Sequence, residues 1–290
     1  MQFLIFIIAY PFLWMISILP FRVFYVLSDA LYFLVYYVIG YRKKIVRANI
    51  ALALPHLSPE ERLSIEKRSY SHLCDMFMEM TKTMTISSQE MNKRFVITNL
   101  EVIKEYEKKE KSIVLLASHY ASWEWLLVLN QKVSYQGVGV YKKISNKYFD
   151  KLIRQLRSKY NTELVTTNKT IPLISHNQKN GILSIYGLAS DQSPKAGRIF
   201  HWDSFMGVEV PVHTGAEMLA KKHDLNVIFA KVRKLKRGYY EATLVPLSDN
   251  PKSVPGFGIT HSFIKEVEKQ IYEAPEYYFW THKRWKHRRQ

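Results

Sequence analysis

A histidine and a glutamate five residues apart, His119 and Glu124, stand in the segment 115–125 (LLASHYASWEW). A neutral imidazole can take a proton from a hydroxyl through one nitrogen. Its other N–H can donate to a carboxylate, which fixes the tautomer and stabilises the imidazolium as it forms. On one continuous helix, five residues separate two side chains by about 140° around the axis, too far to pair easily. The spacing works if the histidine stands in a turn and the glutamate in the first turns of the helix that follows. The surrounding text has that form: 113–117 (IVLLA) reads as a buried strand, Ser118 and His119 follow its carboxyl end, and helical spacing begins at Trp123. A helix N-terminus near the ring would disfavour the imidazolium and keep His119 available as a base. No seryl or cysteinyl nucleophile is required, because a hydroxyl on the acceptor can itself attack. A histidine five residues before a carboxylate is a frequent coincidence, so the pair draws its weight from its place at a strand end.

The elements that must position this pair are legible from residue 95 onward. Short β-rich runs at 95–98, 113–117, 137–141, 164–166, 182–186, 226–232 and 239–245 alternate with amphipathic stretches at 121–132, 146–160, 169–179 and 214–223. One more helix is expected at 259–273. Strands alternating with helices predict an α/β fold with a mostly parallel central sheet flanked by helices. In such sheets, ligands bind outside the carboxyl ends of the strands. Upstream, 21–54 and 58–85 both read as helical. The second opens with Ser58-Pro59-Glu60-Glu61, an N-cap followed by a proline and a carboxylate in the first turn.

The first segment has a different texture. Residues 1–21 carry no charged side chain, the next twenty carry only Arg22 and Asp29, and Arg42-Lys43-Lys44 follow. A basic start and a small-residue cleavage site, the marks of a signal peptide, are not evident. The run 3–19 nearly reaches the length of about 20 apolar residues that spans a bilayer, although Pro11 and Pro20 interrupt it. We expect an uncleaved N-terminal hydrophobic helical membrane anchor, spanning or dipping into the bilayer, with the basic cluster on the cytoplasmic side. The expected organisation is an anchor over 1–40, a helical membrane-proximal segment over 41–94 and a catalytic α/β domain over 95–290.

Lys and Arg number 42 against 25 Asp and Glu, a net charge of +17. Such a surplus implies an anionic partner: nucleic acid, an acidic membrane surface, or an acidic protein or phosphorylated substrate. The last ten residues hold five Lys or Arg interleaved with His282, Trp285 and His287. Alongside an apolar N-terminus, that mixture fits a membrane-surface or carrier-docking segment better than a nucleic-acid tail. The single cysteine, Cys74, lies beside Leu73 and Met76 in a helical stretch and reads as a packed core thiol. There is no Gly-x-Ser-x-Gly elbow, no phosphate-binding Walker loop and no zinc-protease histidine spacing. Gly256-Phe257-Gly258 after Pro255 reads as a turn. Neither a metal nor a cofactor is expected.

His119-x4-Glu124 matches the His-x4-Asp/Glu signature of the glycerolipid acyltransferase superfamily. The text around it resembles the lauroyl/myristoyl acyltransferases of lipid A biosynthesis, where Glu often takes the carboxylate place. Further blocks agree in order: 41–49 (YRKKIVRAN), 190–194 (SDQSP), 205–207 (FMG), 214–220 (TGAEMLA) and 280–286 (WTHKRWK). The likeness covers the chain from about residue 20 onward, and the collinear set is far more specific than the His-x4-Glu pair.

The resemblance implies a membrane-bound transferase of glycerolipid acyltransferase-like fold at the cytoplasmic face of the bacterial inner membrane. Its acyl donor would be acyl carrier protein and its lipid acceptor a hydroxyl of a lipid A precursor. His119 would carry over as base and Glu124 as its orienting carboxylate, with Asp191 and Gln192 lining the acceptor site. The polar residues after the third strand, Lys142, Lys143, Asn146, Arg154 and Arg157, would fit phosphate or carrier-protein contacts. Guanidinium groups hold phosphate bidentately, and positive potential steers an acidic carrier. The thioester oxyanion needs donors as well, for which Arg157 or backbone N–H groups are the candidates. Two other readings stand beside this one: a lysophospholipid or amino-acid-lipid acyltransferase of the same superfamily, and a non-enzymatic basic membrane or nucleic-acid binding protein. No nucleic-acid motif supports the last.

Overall fold

A computed structural model describes residues 1–289 of the chain. Two apolar helices open it: α1 (Gln2–Ile18) and α2 (Phe21–Phe33), the latter running on as a π-helical stretch, Leu34–Ile39. Pro11 is carried inside α1, so it does not end that helix. The helix expected over 21–54 is divided instead at Gly40–Arg42. Gly40 takes φ +65° and Arg42 φ +54°, a left-handed pair that turns the chain into α3 (Lys43–Ala53). The long α4 (Pro59–Lys82) begins with the reciprocal cap read from the sequence: Ser58 Oγ accepts from Glu61 N, and Ser58 N donates to the Glu61 carboxylate.

Strands and helices then follow in order: α5 (Ser88–Arg94), β1 (Phe95–Ile97), α6 (Glu101–Lys108), β2 (Ile113–Ala117), a 3-10 segment (Trp123–Gln131), β3 (Gln136–Tyr141), α7 (Lys147–Ser158), β4 (Thr162–Thr166), α8 (Thr167–Lys179), β5 (Ser184–Ala189), the hairpin β6 (Trp202–Phe205) and β7 (Val208–Pro211), α9 (Gly215–His223), β8 (Asn226–Lys236), β9 (Tyr239–Ser248) and α10 (Gly258–Glu273). The seven-stranded sheet has the order β1-β9-β8-β2-β5-β3-β4, and every neighbouring pair except β8–β9 is parallel. The mostly parallel sheet flanked by helices is therefore present. Its central strands are apolar because helices cover both faces: Ile113, Val114, Leu115 and Leu116 of β2 are all buried.

Beyond the divided helix, four features differ from the reading of the sequence. The β6–β7 hairpin was not anticipated. Each strand has four residues, too few for a period-two pattern to register, and the two-residue turn at Met206 (φ +53°) and Gly207 (φ +75°) joins them. Helices α5 and α6 lay in text assigned no element. The stretch 123–131 forms a 3-10 segment rather than an α-helix.

The collinear sequence blocks meet in space. Asn49, on α3, donates from Nδ2 to the carbonyls of Trp280 and His282 at 2.7 and 2.8 Å, and Arg42 donates to Thr281 O. The basic segment after the two apolar helices thus fastens the C-terminal 280–286 block. That block is more core than tail: Trp285 stacks on Phe205 and Trp280, and the buried Arg284 donates to Pro211 O. Gln290 lies outside the described residues. Asn49→Ala leaves two carbonyls without their donor, which costs about 1–3 kcal/mol. A denaturant titration of the detergent-solubilised protein is expected to show that loss.

The apolar stretch Phe21–Ile39 is tied to the domain by polar groups on its inner stripe. Tyr25 donates to Glu79, Ser28 to Asp75 and Tyr36 to Glu66, all carboxylates of α4. From the β8–β9 hairpin, Arg237 bridges Asp75 and Asp29, and Tyr240 donates to Glu79. Burial pushes the Glu79 carboxyl up to about 7, against the opposing pull of Lys234 and its tyrosine donors.

Candidate active site

His119 follows β2 and Asp191 follows β5, and these two strands are parallel neighbours with Ala117 paired to Ala189. Each side chain therefore stands two residues beyond a matched pair, at the same level of the sheet. Ser190 N donates to Ala117 O, which carries the ladder one step past the strands. His119 Nδ1 lies 2.7 Å from Asp191 Oδ1, and His119 N donates to Asp191 Oδ2 at 3.1 Å. The carboxylate holds the ring and the backbone of the same residue, which sets both the rotation and the tautomer, with the proton on Nδ1. Nε2 has no hydrogen-bond partner among the described residues, and the ring lines a cavity of about 410 Å³.

The carboxylate hydrogen-bonded to His119 is thus Asp191, while Glu124, expected as its partner, is bonded elsewhere. Glu124 Oε2 accepts from Arg157 Nη2 at 2.7 Å, and both side chains are only one-fifth exposed. The reason lies in the turn between His119 and Glu124. Ala121 is buried with φ +50°, a left-handed conformation that an alanine adopts at a cost of about 1–3 kcal/mol. Contacts on both sides hold it: Ala121 N donates to Tyr277 O, and Phe279 N donates to His119 O. Through this turn Glu124 reaches the guanidinium on α7, while the ring of His119 packs against Trp123 and Phe279.

The electrostatics follow. Burial disfavours the His119 imidazolium, but the Asp191 charge and its hydrogen bond outweigh that, with a smaller push from Glu124. The ring titrates above its ordinary value. The lowering expected from a helix N-terminus is therefore reversed, because a buried carboxylate sits on Nδ1. Asp191 is fully enclosed, and burial acts to raise its pKa. The attraction of His119 and the hydrogen bonds it accepts win, leaving it below the usual carboxylate range. Nearby, His282 accepts from Ser193 N through Nε2, and burial pushes it down to about 4, so it is neutral and structural.

The cavity runs from His119 and Ala189 at the carboxyl ends of the strands back to Asn130 and Thr162, which are joined by a 2.7 Å hydrogen bond. Thr162 lies level with Ile185 through Gly137, so the four residues from there to Ala189 span roughly 13 Å at the rise of a strand. Its walls are apolar: Leu115, Leu126, Leu127, Val138, Ile185 and Leu188. Its floor is low because Gly187 pairs with both Leu115 and Gly139 across the sheet, so two adjacent positions of one row carry no side chain. These glycines were missed in the sequence. A strand glycine there reads only as a weak position, and the row they form needs the β2–β5–β3 register.

Of the other candidates, Lys142 and Arg157 line the cavity together with His119 and Glu124. Asn146 and Arg154 do not. Asn146 caps α7 by accepting from Tyr148 N and Phe149 N, and donates to Gln2 O. Arg154 is held on Asp150 and Tyr141. Both are consumed by structural contacts, Asn146 as the N-cap of α7 and Arg154 in an i,i+4 pair along the same helix. Lys143 is exposed, and Gln192 is half-buried beside Asp191 with no side-chain hydrogen bond among the described residues. Cys74 is buried, with burial pushing its thiol up to about 12, which suits a packing role.

Residues 1–287 match the family model for bacterial lipid A biosynthesis acyltransferases. The chain is also similar to a lipid A biosynthesis lauroyltransferase of Escherichia coli (strain K12), 25% identical over 277 residues, covering 95% of this chain and 89% of that protein.

Proposed function

The chain belongs to the bacterial lipid A biosynthesis acyltransferase family, and from that premise we propose that it moves a fatty acyl chain from acyl carrier protein to a hydroxyl of a lipid A precursor at the cytoplasmic face of the inner membrane. The observation that carries this reading is an oriented His119–Asp191 pair, its Nε2 unpartnered, at one end of a long apolar cavity. The acceptor hydroxyl gives its proton to Nε2 as its oxygen attacks the thioester carbonyl carbon. Asp191 stabilises the imidazolium. As the tetrahedral intermediate collapses, the C–S bond breaks and the carrier thiolate takes the proton back from Nε2, leaving an ester and a free thiol. Arg157, held in place by Glu124, supplies positive charge for the oxyanion. Lys142 at the cavity edge and the exposed Lys143 favour an acidic carrier or phosphorylated acceptor.

The test uses membranes or detergent-solubilised protein, one labelled acyl-carrier-protein donor and a panel of acceptors. A lipid A precursor is expected to be acylated far faster than a lysophospholipid. The reverse preference would move the acceptor assignment within the superfamily. A donor panel comparing acyl carrier protein with acyl-coenzyme A tests the carrier separately.

The cavity makes a further prediction. A Cβ built on Gly187 meets only Val138 O, at 3.7 Å, an ordinary contact. Gly187→Val should therefore fold and fill part of the acyl trough. Transfer of the longest accepted chain is expected to fall by about 10–200-fold, the discrimination a methylene-sized mismatch gives in an apolar pocket, while shorter chains are retained. Mass analysis of products from donors of graded length reads this directly.

A further inference from the structure

Helix α1 is fastened to the domain at both ends. At its start, Gln2 Nε2 donates to Ser145 O, Asn146 Nδ2 donates to Gln2 O and Lys147 N donates to Gln2 Oε1. At its finish, Lys82 Nζ and Thr85 Oγ1, from the end of α4 and just beyond it, donate to Ser17 O. Between these points Phe6 packs on Tyr148 and Phe149 of α7. Phe6, Tyr10, Leu13 and Ser17 form an inward stripe, whereas Phe3, Ile5, Ile8, Phe12, Trp14, Met15 and Ile18 are exposed.

A helix of 17 residues is about 25 Å long, close to the roughly 30 Å hydrocarbon thickness of a bilayer. If it crossed, its two ends would lie at opposite faces of the membrane. Here both ends are bonded to one globular domain. The apolar stretch Phe21–Ile39 is long enough to cross by composition, but it is tied to α4 from Tyr25 to Tyr36 through Glu79, Asp75 and Glu66. Crossing would draw those carboxylates into hydrocarbon or strip them of their donors, and either is costly.

We propose that the N-terminal anchor is monotopic: α1 and α2 lie along the catalytic domain, with their outer apolar faces immersed in the acyl region of one anionic leaflet and neither helix crossing it. The charge pattern fits that occupant. Arg22 follows the α1–α2 break, Arg42 and Lys44 follow the second helix, and Lys142, Lys143 and Lys147 flank the start of α1; all six are exposed. Cations at the edge of an apolar face suit anionic headgroups. The start of α1 abuts the loop that follows cavity residues Tyr141 and Lys142, which sets the cavity mouth beside the leaflet from which a lipid acceptor enters.

The inference rests on the membrane attachment proposed above, and the experiment separates the two. In a Cys74→Ala background, single cysteines are placed at Gln2, Arg22 and Lys195, the last on an exposed loop of the domain. Inner-membrane vesicles of known orientation are treated with an impermeant maleimide, and acyl transfer is assayed in parallel. Comparable labelling of all three sites from the same side is expected. A short bis-maleimide should also join Gln2→Cys to Ser145→Cys in membranes. Labelling of Gln2→Cys or Arg22→Cys only from the side opposite Lys195→Cys overturns the monotopic arrangement and leaves the acyltransferase reading intact. Full activity in protein that remains soluble without detergent or lipid overturns the attachment itself.

Discussion

Asp191→Asn is expected to lower acyl transfer about 10²–10⁴-fold, the range that a positioned acid–base group contributes, and His119→Ala should fall by a similar factor. The carboxylate at Asp191 does two things an amide cannot. It stabilises the imidazolium, and it accepts from both Nδ1 and the backbone N–H of His119. The double variant should be little worse than either single one, because the two residues act as a unit. The pH dependence gives an independent sign. The reactive form of the free enzyme has His119 neutral, so kcat/KM rises with pH through the pKa of the ring and then levels. Asp191 raises that pKa. Its loss should move the rising limb to lower pH even as the plateau drops. A limb unmoved in Asp191→Asn, with activity near wild type, would sink the pairing.

Arg157→Ala is the second large effect. Removing one donor to a developing oxyanion costs about 10²–10³-fold in kcat, and lysine should not restore it, since a lone ammonium lacks the planar set of donors of which one, Nη2, holds Glu124. Glu124→Gln should cost less than Arg157→Ala, because the cation stays but loses its fixed direction. A cycle combining Glu124→Gln with Arg157→Ala should show strong coupling. Glu124→Gln is also expected to move the pH limb downward, by less than Asp191→Asn does, because Glu124 is the smallest of the charges raising the His119 pKa. If Glu124→Gln instead shifted the limb more than Asp191→Asn, Glu124 would be the true orienting group, and the assignment of the two carboxylates would have to be exchanged.

Much of this molecule was legible in its sequence. Apolar five-residue runs such as 113–117 mark buried parallel strands because such strands have helices on both faces. The capping box at Ser58 marks α4 because its chemistry is local. His119 stood out by its place after a strand, and the ordered blocks around it gave the family. The monotopic lie of α1 was not legible, since an apolar run of that length is the same text whether it crosses a bilayer or lies along a protein. The tie at Gln2 that distinguishes them comes from more than 140 residues away.

Sequence alone picked out the histidine by its place after a strand, the strand that carries it and the family to which the chain belongs. It also supplied a carboxylate five residues away, close enough in the text to look like a partner. Only the tertiary structure decided which carboxylate that histidine uses. Parallel pairing of Ala117 with Ala189 brings Asp191 to His119 across 72 residues, and the strained turn at Ala121 sends Glu124 to Arg157 instead. Strand register and backbone turn handedness are set by packing across the whole sheet, and so the choice between two carboxylates could not be read from spacing along the chain.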